Sequence, residues 1–367
     1  MPSIPCCESS GSEGIGRERI DNRMTKHPKE AERLKKIVDS FPKITVTVLA
    51  DLVADEFVYG EISRVSREAP VLILRHRERL IIPGGGANAV NNLADLDVNV
   101  LPVGLIGDDE AGRALLKAFR HKRIPVSGIL KDKDHTTVTK TRILAGMTHS
   151  ARQQVVRVDR EPDSSPNSHF IRELVLSARE YARASDALLV SDYGYGSATP
   201  AILDAVRAKN GLDGVPVTLD SRFRMLEYSG VTAATPNEPE VEASLGIKIG
   251  QDWAKLEAAG EEVMKRMKLQ SLIITRGRDG LAAFASRYKP VDIPIFGTDE
   301  VADVTGAGDT VIAAFTAALA AGASTEEAAQ IANYAGGIVV MKRGTATVSR
   351  QELLQAIDKT PPATRSH

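Results

Sequence analysis

An α/β fold of three layers, with helices on both faces of a mostly parallel central sheet and a small projecting β-sheet, is predicted by three features of the chain. Short apolar runs alternate with longer amphipathic ones from Ile44 almost to the C-terminus, the pattern of a parallel sheet whose crossovers are helices. Acids or Gly-rich turns follow those apolar runs, at Asp51, Gly107-Asp108-Asp109, Asp192, Asp220, Asn237 and Thr275-Arg276-Gly277. Such folds gather ligands there, beyond the carboxyl ends of the strands. Two stretches, Val58 to Ile82 and Thr136 to Val158, break the alternation. They are rich in Val, Ile, Arg and Thr and lack a helical period, so they form either a lid-like sheet or a pair of edge hairpins.

Taken in order, residues 1–42 read as a leader ending in a short helix. Met1 to Asp21 mixes Ser, Gly and charges, and Pro28 to Phe41 has helical spacing at Ala31, Leu34, Ile37, Val38 and Phe41. Strands are expected at Ile44 to Ala50, Val98 to Ile106, Ala187 to Ser191, Val215 to Asp220 and Ser271 to Thr275. Helices are expected at Asp109 to His121, His169 to Arg183, Trp253 to Met267, Gly306 to Ala321 and Thr325 to Met341. The main domain is drawn over residues 43–357, with the lid from 58–82 and 136–158 and a loose tail over 358–367.

Composition narrows the function classes. Among 367 residues, 43% hydrophobic and 26% charged is ordinary globular chemistry. Lys plus Arg number 47 against 48 Asp plus Glu, so no overall field draws nucleic acid or anionic lipid. No apolar run reaches the ~18–20 residues of a membrane span, and the N-terminus lacks the apolar core of a secretory signal. The two cysteines, Cys6 and Cys7, are adjacent and supply no disulfide framework. A soluble, cytoplasmic protein is the expectation.

Asp303-Val-Thr-Gly-Ala-Gly-Asp309 stands before a long small-residue helix. A Gly306-Ala307-Gly308 turn at a helix start leaves backbone N–H groups unpaired, and with the helix dipole these suit phosphate oxygens. Asp309, in the first turn, is a candidate general base for a hydroxyl attacking phosphorus. Two bland readings stand beside this one: a cap at Asp303 or Thr305, and Asp309 as an acid the dipole favours. The P-loop pattern Gly-x4-Gly-Lys-[Ser/Thr] does not occur, and Asp51-Leu-Val-Ala-Asp55 stands where a dinucleotide fold needs Gly-x-Gly-x-x-Gly.

The Asp309 string resembles the second signature of the PfkB, or ribokinase-like, carbohydrate kinases. Pro83-Gly-Gly-Gly-Ala-Asn-Ala-Val-Asn-Asn-Leu93, followed by Val103-Gly-Leu-Ile-Gly-Asp-Asp109, resembles the first. The two lie about two hundred residues apart in that family's order, and the likeness runs from Ile44 to near Leu354. It implies a ribokinase-like fold with a lid, ATP as donor, Mg²⁺, and Asp309 as base beside an amide anion hole. Gly85, Gly86 and Asn88 would then meet sugar hydroxyls, with Asp55 and an additional acid, Asp51, clamping the sugar. Thr235-Pro-Asn-Glu-Pro-Glu240 matches an Asn-x-x-Glu motif that assigns Asn237 and Glu240 to the nucleotide phosphates and metal, Glu240 acting through water. An N-cap at Asn237 is compatible with that role. Thr275, Arg276, Gly277, Thr305 and, on the last long helix, Asn333 go to the nucleotide, and Asp192 to metal-bound water.

Several strings resemble one subgroup, the D-glycero-D-manno-heptose 7-phosphate kinases of ADP-heptose synthesis. They are Tyr59-Gly-Glu-Ile-Ser-Arg-Val-Ser-Arg-Glu-Ala-Pro-Val71, Lys140-Thr-Arg-Ile-Leu144, Gln154-Val-Val-Arg-Val-Asp159, Ser191-Asp-Tyr-Gly194 and Gly344-Thr-Ala-Thr-Val-Ser349. A phosphorylated sugar would account for Arg64, Arg67, Lys140, Arg142 and Arg157 converging at the lid, a solvated surface charge being the bland reading of each. Departures are Gly84-Gly-Gly-Ala-Asn88 for Gly-Gly-Ala-Ala-Asn, Asp220-Ser-Arg222 for Asp-Pro-Lys, and a long insert at Gly146 to Arg152. The resemblance further implies a homodimer through the lid sheets and a separate nucleotidyltransferase, since the half often fused to these kinases does not follow Ser349. Another sugar, sugar-phosphate or nucleoside kinase of the family is the alternative. A non-catalytic sugar- or nucleotide-binding homologue is the reading from a different class, disfavoured because Asp309 and Asn-x-x-Glu are both present.

Overall fold

The computed structural model describes residues 26–146, 153–208, 212–297, 305–342, 346–360 and 362–365. Cys6, Cys7, most of the lid insert, Asp303 and the start of the Gly344 string lie outside them. Helix α1 (Lys26–Asp39) leads to β1 (Thr45–Ala50), then β2 (Leu52–Val65), β3 (Leu72–Gly84), α2 (Gly85–Asp95), β4 (Asn99–Gly107), α3 (Glu110–His121) and β5 (Ile129–Asp132). The pair β6 (Thr139–Gly146) and β7 (Gln153–Arg160) precedes α4 (Ser168–Arg183), β8 (Ala187–Asp192), α5 (Pro200–Arg207), β9 (Val217–Ser221) and β10 (Ala233–Ala234). There follow α6 (Glu238–Leu245), α7 (Trp253–Met267), β11 (Ser271–Thr275), β12 (Leu281–Ala285) and β13 (Val291–Ile293). Last come α8 (Ala307–Ala320), α9 (Thr325–Val340) and α10 (Arg350–Lys359).

Nine strands form the main sheet in the order β13-β12-β11-β10-β9-β8-β1-β4-β5. All pairings are parallel except those of β12, which is antiparallel to both neighbours. The centre follows the two-residue period of a strand: Val46, Val48 and Ala50 of β1 enter the core beneath α1, α2, α8 and α9, while Leu49 enters the core beneath α4, α5 and α7. Burial on both faces explains why these strands read as unbroken apolar runs. Helices α8 and α9 are buried over most of their length, and runs such as Ala313-Ala314 and Ala328-Ala329 let them lie close.

The two irregular stretches join in one four-stranded sheet of order β3-β2-β6-β7, with β2 and β6 parallel. They are a single lid-like sheet rather than two edge hairpins, and β2 begins deeper than expected because it continues almost directly from β1. Every residue of β7 is exposed.

Two expectations about the chain ends need correcting. The N-terminal helix spans Lys26–Asp39, and Phe41 belongs to a separate 3-10 turn. Leu34, Ile37, Val38 and Phe41 are buried in the same core as β1 and α10, so the helix is a wall of the body. At the other end, Arg365 N–H donates to the Asp292 carbonyl at 2.8 Å, pairing with β13 where a loose tail was expected.

Candidate active site

Helix α8 starts at Gly306, whose φ of +80° puts it in the left-handed region that glycine tolerates. Its N-cap residue, Gly306, has no side chain to cap the helix, and among the described residues the first N–H to reach back to Gly306 O is that of Thr310, at 3.2 Å. The amides of Ala307, Gly308 and Asp309 are therefore without helical partners. Asp309 is only 4% exposed. Its Oδ2 accepts from Asn88 Nδ2 at 2.9 Å and its Oδ1 from the Tyr193 hydroxyl at 2.6 Å. Burial pushes its carboxyl up to about 6, and the two hydrogen bonds restrain the rise.

Asn88 is itself fixed by its helix. Asn92 Nδ2 donates to Asn88 O at 2.9 Å and to Asn88 Oδ1 at 3.2 Å, while Asn92 Oδ1 accepts from Thr310 Oγ1 at 2.9 Å. This buried chain ties α2 to α8 and gives Asn88 one available orientation.

The four expected acids divide sharply. Asp55 lies close enough to Asp309 for its charge to raise that carboxyl, and takes an ion pair from Arg142 at 2.6 Å. Gly84 is required here, because a Cβ would come within 2.5 Å of the Asp55 carboxyl carbon. Gly85 and Gly86 are buried at the start of α2, Gly86 packed on Ala50.

Asp51 is not a sugar clamp. Its oxygens accept the N–H groups of Tyr193, Tyr195 and Ser197 at 2.9, 2.9 and 2.7 Å, so it anchors the loop after β8. Asp192 is equally committed, and the role on metal-bound water is withdrawn. It is 1% exposed and takes Gly194 N, Ser221 Oγ, Tyr228 OH and two bonds from Arg224. A carboxylate with five donors has no lone pair to spare.

Asn237 and Glu240 form a complete capping box on α6, Asn237 Oδ1 accepting from Glu240 N at 2.8 Å and Glu240 Oε2 from Asn237 N at 2.9 Å. Burial raises the Glu240 carboxyl. Asp220, at the end of β9, is pushed well above the usual range by burial and by the charges of Glu240, Asp309 and Asp192. Among the described residues no three acids or histidines gather as a ready metal cage. A crowded negative pair with few protein ligands fits Mg²⁺, which keeps several waters and leans on substrate phosphates.

The residues expected to take the nucleotide meet at a cleft of about 160 Å³ whose lining includes Thr275, Gly277, Gly308, Val311, Asn333 and Gly337. Asn333 also donates to Pro294 O at 2.8 Å. Thr305, half-buried, directly precedes the Gly306 turn. Arg276 does not join them. Its guanidinium lies over Trp253 and between Glu238 and Asp292, at 3.6 and 3.7 Å, while Arg278 lines the cleft instead.

Lys140 is buried at 8% exposure, beside the rings of Tyr193 and Tyr195 at 5.2 and 5.9 Å. Arg222 lies over Tyr193 at 5.0 Å. Among the described residues no ion pair joins either cation to a carboxylate, and burial together with Arg222 lowers the Lys140 ammonium. Sequence reasoning missed Tyr193, Arg222 and Asn92 as parts of the site, and placed Asp220 among the acids after strands without giving it a role. Tyr193 and Arg222 lay within strings already singled out, but nothing in a string shows which side chain faces Asp309.

Comparison with known proteins places this geometry. The family model described as pfkB family carbohydrate kinase matches residues 53–352. The bifunctional protein HldE of Geobacter metallireducens is 40% identical over 312 residues, 85% of this chain and 62% of that protein. HldE of Gluconobacter oxydans is 36% identical over 330 residues, 89% of this chain and 67% of that one. The chain thus spans just under two thirds of the length of the first of these relatives. Escherichia coli phosphofructokinase-2 in complex with substrates and products superposes with a TM-score of 0.70 at 18% identity, covering 86% of this chain and 99% of that one. Arabidopsis thaliana ribokinase complexed with ribose and ATP gives 0.67 at 21%, covering 86% and 98%. These two establish the fold.

Proposed function

The chain belongs to the pfkB family of carbohydrate kinases, and from that membership we propose how its site works and on which sugar. It is a phosphotransferase that uses a sugar hydroxyl as acceptor and ATP as donor. The observation that carries the mechanism is Asp309, a buried carboxylate held by Asn88 and Tyr193 in the first turn of α8, whose leading amides have no helical partner.

Asp309 takes the proton of the acceptor hydroxyl as its oxygen bonds to the γ-phosphorus of ATP and the bond to the ADP oxygen breaks. An ionisation near 6 leaves the base charged at neutral pH and still basic enough to accept a proton. The amides of Ala307, Gly308 and Asp309 receive charge on the transferring phosphoryl oxygens. Thr275, Gly277 and Asn333 hold the nucleotide in its cleft. Glu240 and Asp220 are the residues that would hold Mg²⁺, which would supply charge neutralisation for the phosphates. Asp55 and Asn88 orient the sugar.

The acceptor is proposed to be C1 of D-glycero-D-manno-heptose 7-phosphate. Support comes from the lid strings that resemble heptose 7-phosphate kinases, from similarity to HldE chains, and from Lys140. That buried cation has no carboxylate pair among the described residues, as a residue reserved for a substrate anion would not. Arg142 pairs with Asp55 and contributes by holding that clamp. Exposed Val155, Val156 and Val158 on β7 support a homodimer through the lid sheets.

ATP consumption over a panel of free and phosphorylated sugars, with products identified, tests the reading. Lys140→Ala is expected to cost the phosphorylated acceptor about ten- to a hundredfold in kcat/KM, the worth of one charge-assisted contact. Turnover of free hexoses as fast as any sugar phosphate, unaffected by Lys140→Ala, would remove the heptose reading and leave the kinase.

A further inference from the structure

We propose that Tyr193 is the positioning residue of the base, its phenol gripping the Asp309 carboxylate while its ring and backbone are locked from three sides. The proposal rests on Asp309 as base. It begins from a 2.6 Å hydrogen bond between two buried groups.

Tyr193 follows β8 directly, in a turn carried by Gly194 and Gly196 at φ of +86° and +99°. Its own N–H and those of Tyr195 and Ser197 are fastened to Asp51, so the backbone is bolted to the end of β1. The ring is seated against Gly85, where a Cβ would come within 3.3 Å of the phenol Cζ. Lys140 and Arg222 lie over it. Cations beside the ring draw electron density from the phenol and make it a stronger donor.

The phenol stays a donor throughout. Burial and the neighbouring Asp309 push its own ionisation well above the usual value, so it does not compete as the base. With one oxygen on Tyr193 and the other on Asn88, the carboxylate cannot rotate without losing both bonds. Each oxygen keeps a second lone pair for the acceptor hydroxyl. Asn88 alone would fix one oxygen and leave the plane of the carboxylate free.

The charged and titratable groups facing Asp309 come from every element around it. Asp55 from β2 raises it, Asp220 at the end of β9 is itself raised by it, and Arg222 lowers it. Tyr193 and Asn88 lower it as donors. Removing the phenol hydroxyl therefore moves the ionisation of Asp309 upward.

The test is Tyr193→Phe, which keeps the ring. Carboxyl ¹³C NMR of the aspartate-labelled enzyme without substrate, with Asp309 assigned by its loss in Asp309→Asn, is expected to show a titration about one to two pH units higher. The acid limb of kcat for the fastest acceptor in the sugar panel should move with it. At pH 7 kcat falls about two- to tenfold and recovers towards pH 9, with KM for ATP unchanged. An unmoved resonance and limb would make Tyr193 a packing residue and overturn the proposal. Should Asp309→Asn retain turnover, the base assignment falls, while the NMR shift still decides whether Tyr193 grips the carboxylate. If Tyr193→Phe does not fold, uniform 3-fluorotyrosine labelling replaces it. The more acidic phenol should shift Asp309 downward, and an unchanged or upward shift overturns the proposal.

Discussion

Asp309 and Asp192 are both buried acids beside the end of β8, and under the proposed mechanism they serve opposite purposes. Asp192 sits after β8 among five donors, including a guanidinium at 2.6 Å. Asp309 sits at the start of α8 with two neutral donors and an ionisation raised to about 6. Burial is common to both; what separates a strut from a base is how many lone pairs the fold has left unclaimed. A motif fixes the residue type at each position but says nothing of that count.

The sharpest way to break this contrast is to remove each charge in turn. Asp309→Asn is expected to lower kcat by roughly 10²–10⁴ with nucleotide binding retained, the range of a lost general base. Steady-state kinetics and an ATP-binding titration check both halves; near-wild-type kcat would end the assignment. Asp192→Ala should do its damage to the fold instead. It strands the Arg224 guanidinium and the Tyr228 hydroxyl, at about 3–5 kcal/mol for a broken buried pair, read as a lower denaturation midpoint. A folded Asp192→Ala enzyme with an altered Mg²⁺ requirement would return Asp192 to the metal and erase the distinction.

A subtler expectation concerns pH. Asp309 and Asp51 both have ionisations raised by burial to about 6, against an ordinary 3.8. Groups raised on folding contribute most stability below their unfolded value and lose it as pH climbs through the folded one. Their share of stability therefore falls between about pH 4 and 7, on the order of 2–3 kcal/mol for each. Activity runs the other way, needing Asp309 charged and declining below about pH 6. At pH 7.5, Asp309→Asn should melt higher than the wild type, and an equal or lower Tm would contradict the burial account.

The smallest effect belongs to Glu240→Gln. The amide preserves most of the capping box, so stability should change by less than about 1 kcal/mol, while more Mg²⁺ is needed for half-maximal turnover. An unchanged magnesium titration would leave Glu240 a cap.

Much of the fold was legible because its signals are local. Strands such as Ser271–Thr275 and helices such as Trp253–Met267 coincide with their apolar periodicity. Short elements whose pattern is weak escaped, among them the two-residue β10 and the β12–β13 pair. The same division holds in the site. Gly306 to Asp309 is one contiguous turn and was readable as such. The hydrogen bonds that hold Asp309 span 221 and 116 residues, and no spacing rule reaches that far. Asp51 was misjudged for the same reason, since its three donors come from a loop about 140 residues away.

Helix α1 has a consequence for how the chain reaches this state. Arg33 pairs with Glu327, Lys35 with Asp358, and Arg350 of α10 with Asp39, bridging 294, 323 and 311 residues. Leu34, Ile37 and Val38 are buried in a core that α10 helps to close. On a ribosome this helix emerges before any strand of the sheet, yet part of its docking surface, α10, is translated only after the whole sheet. Contacts so distant along the chain are slow to form and carry the full cost of closing the intervening loop. Translation order and assembly order are thus reversed for this one segment: a helix made before the sheet is seated after it, and an apolar stripe worth about 1.5–3 kcal/mol per buried side chain must stay shielded from aggregation until α10 arrives.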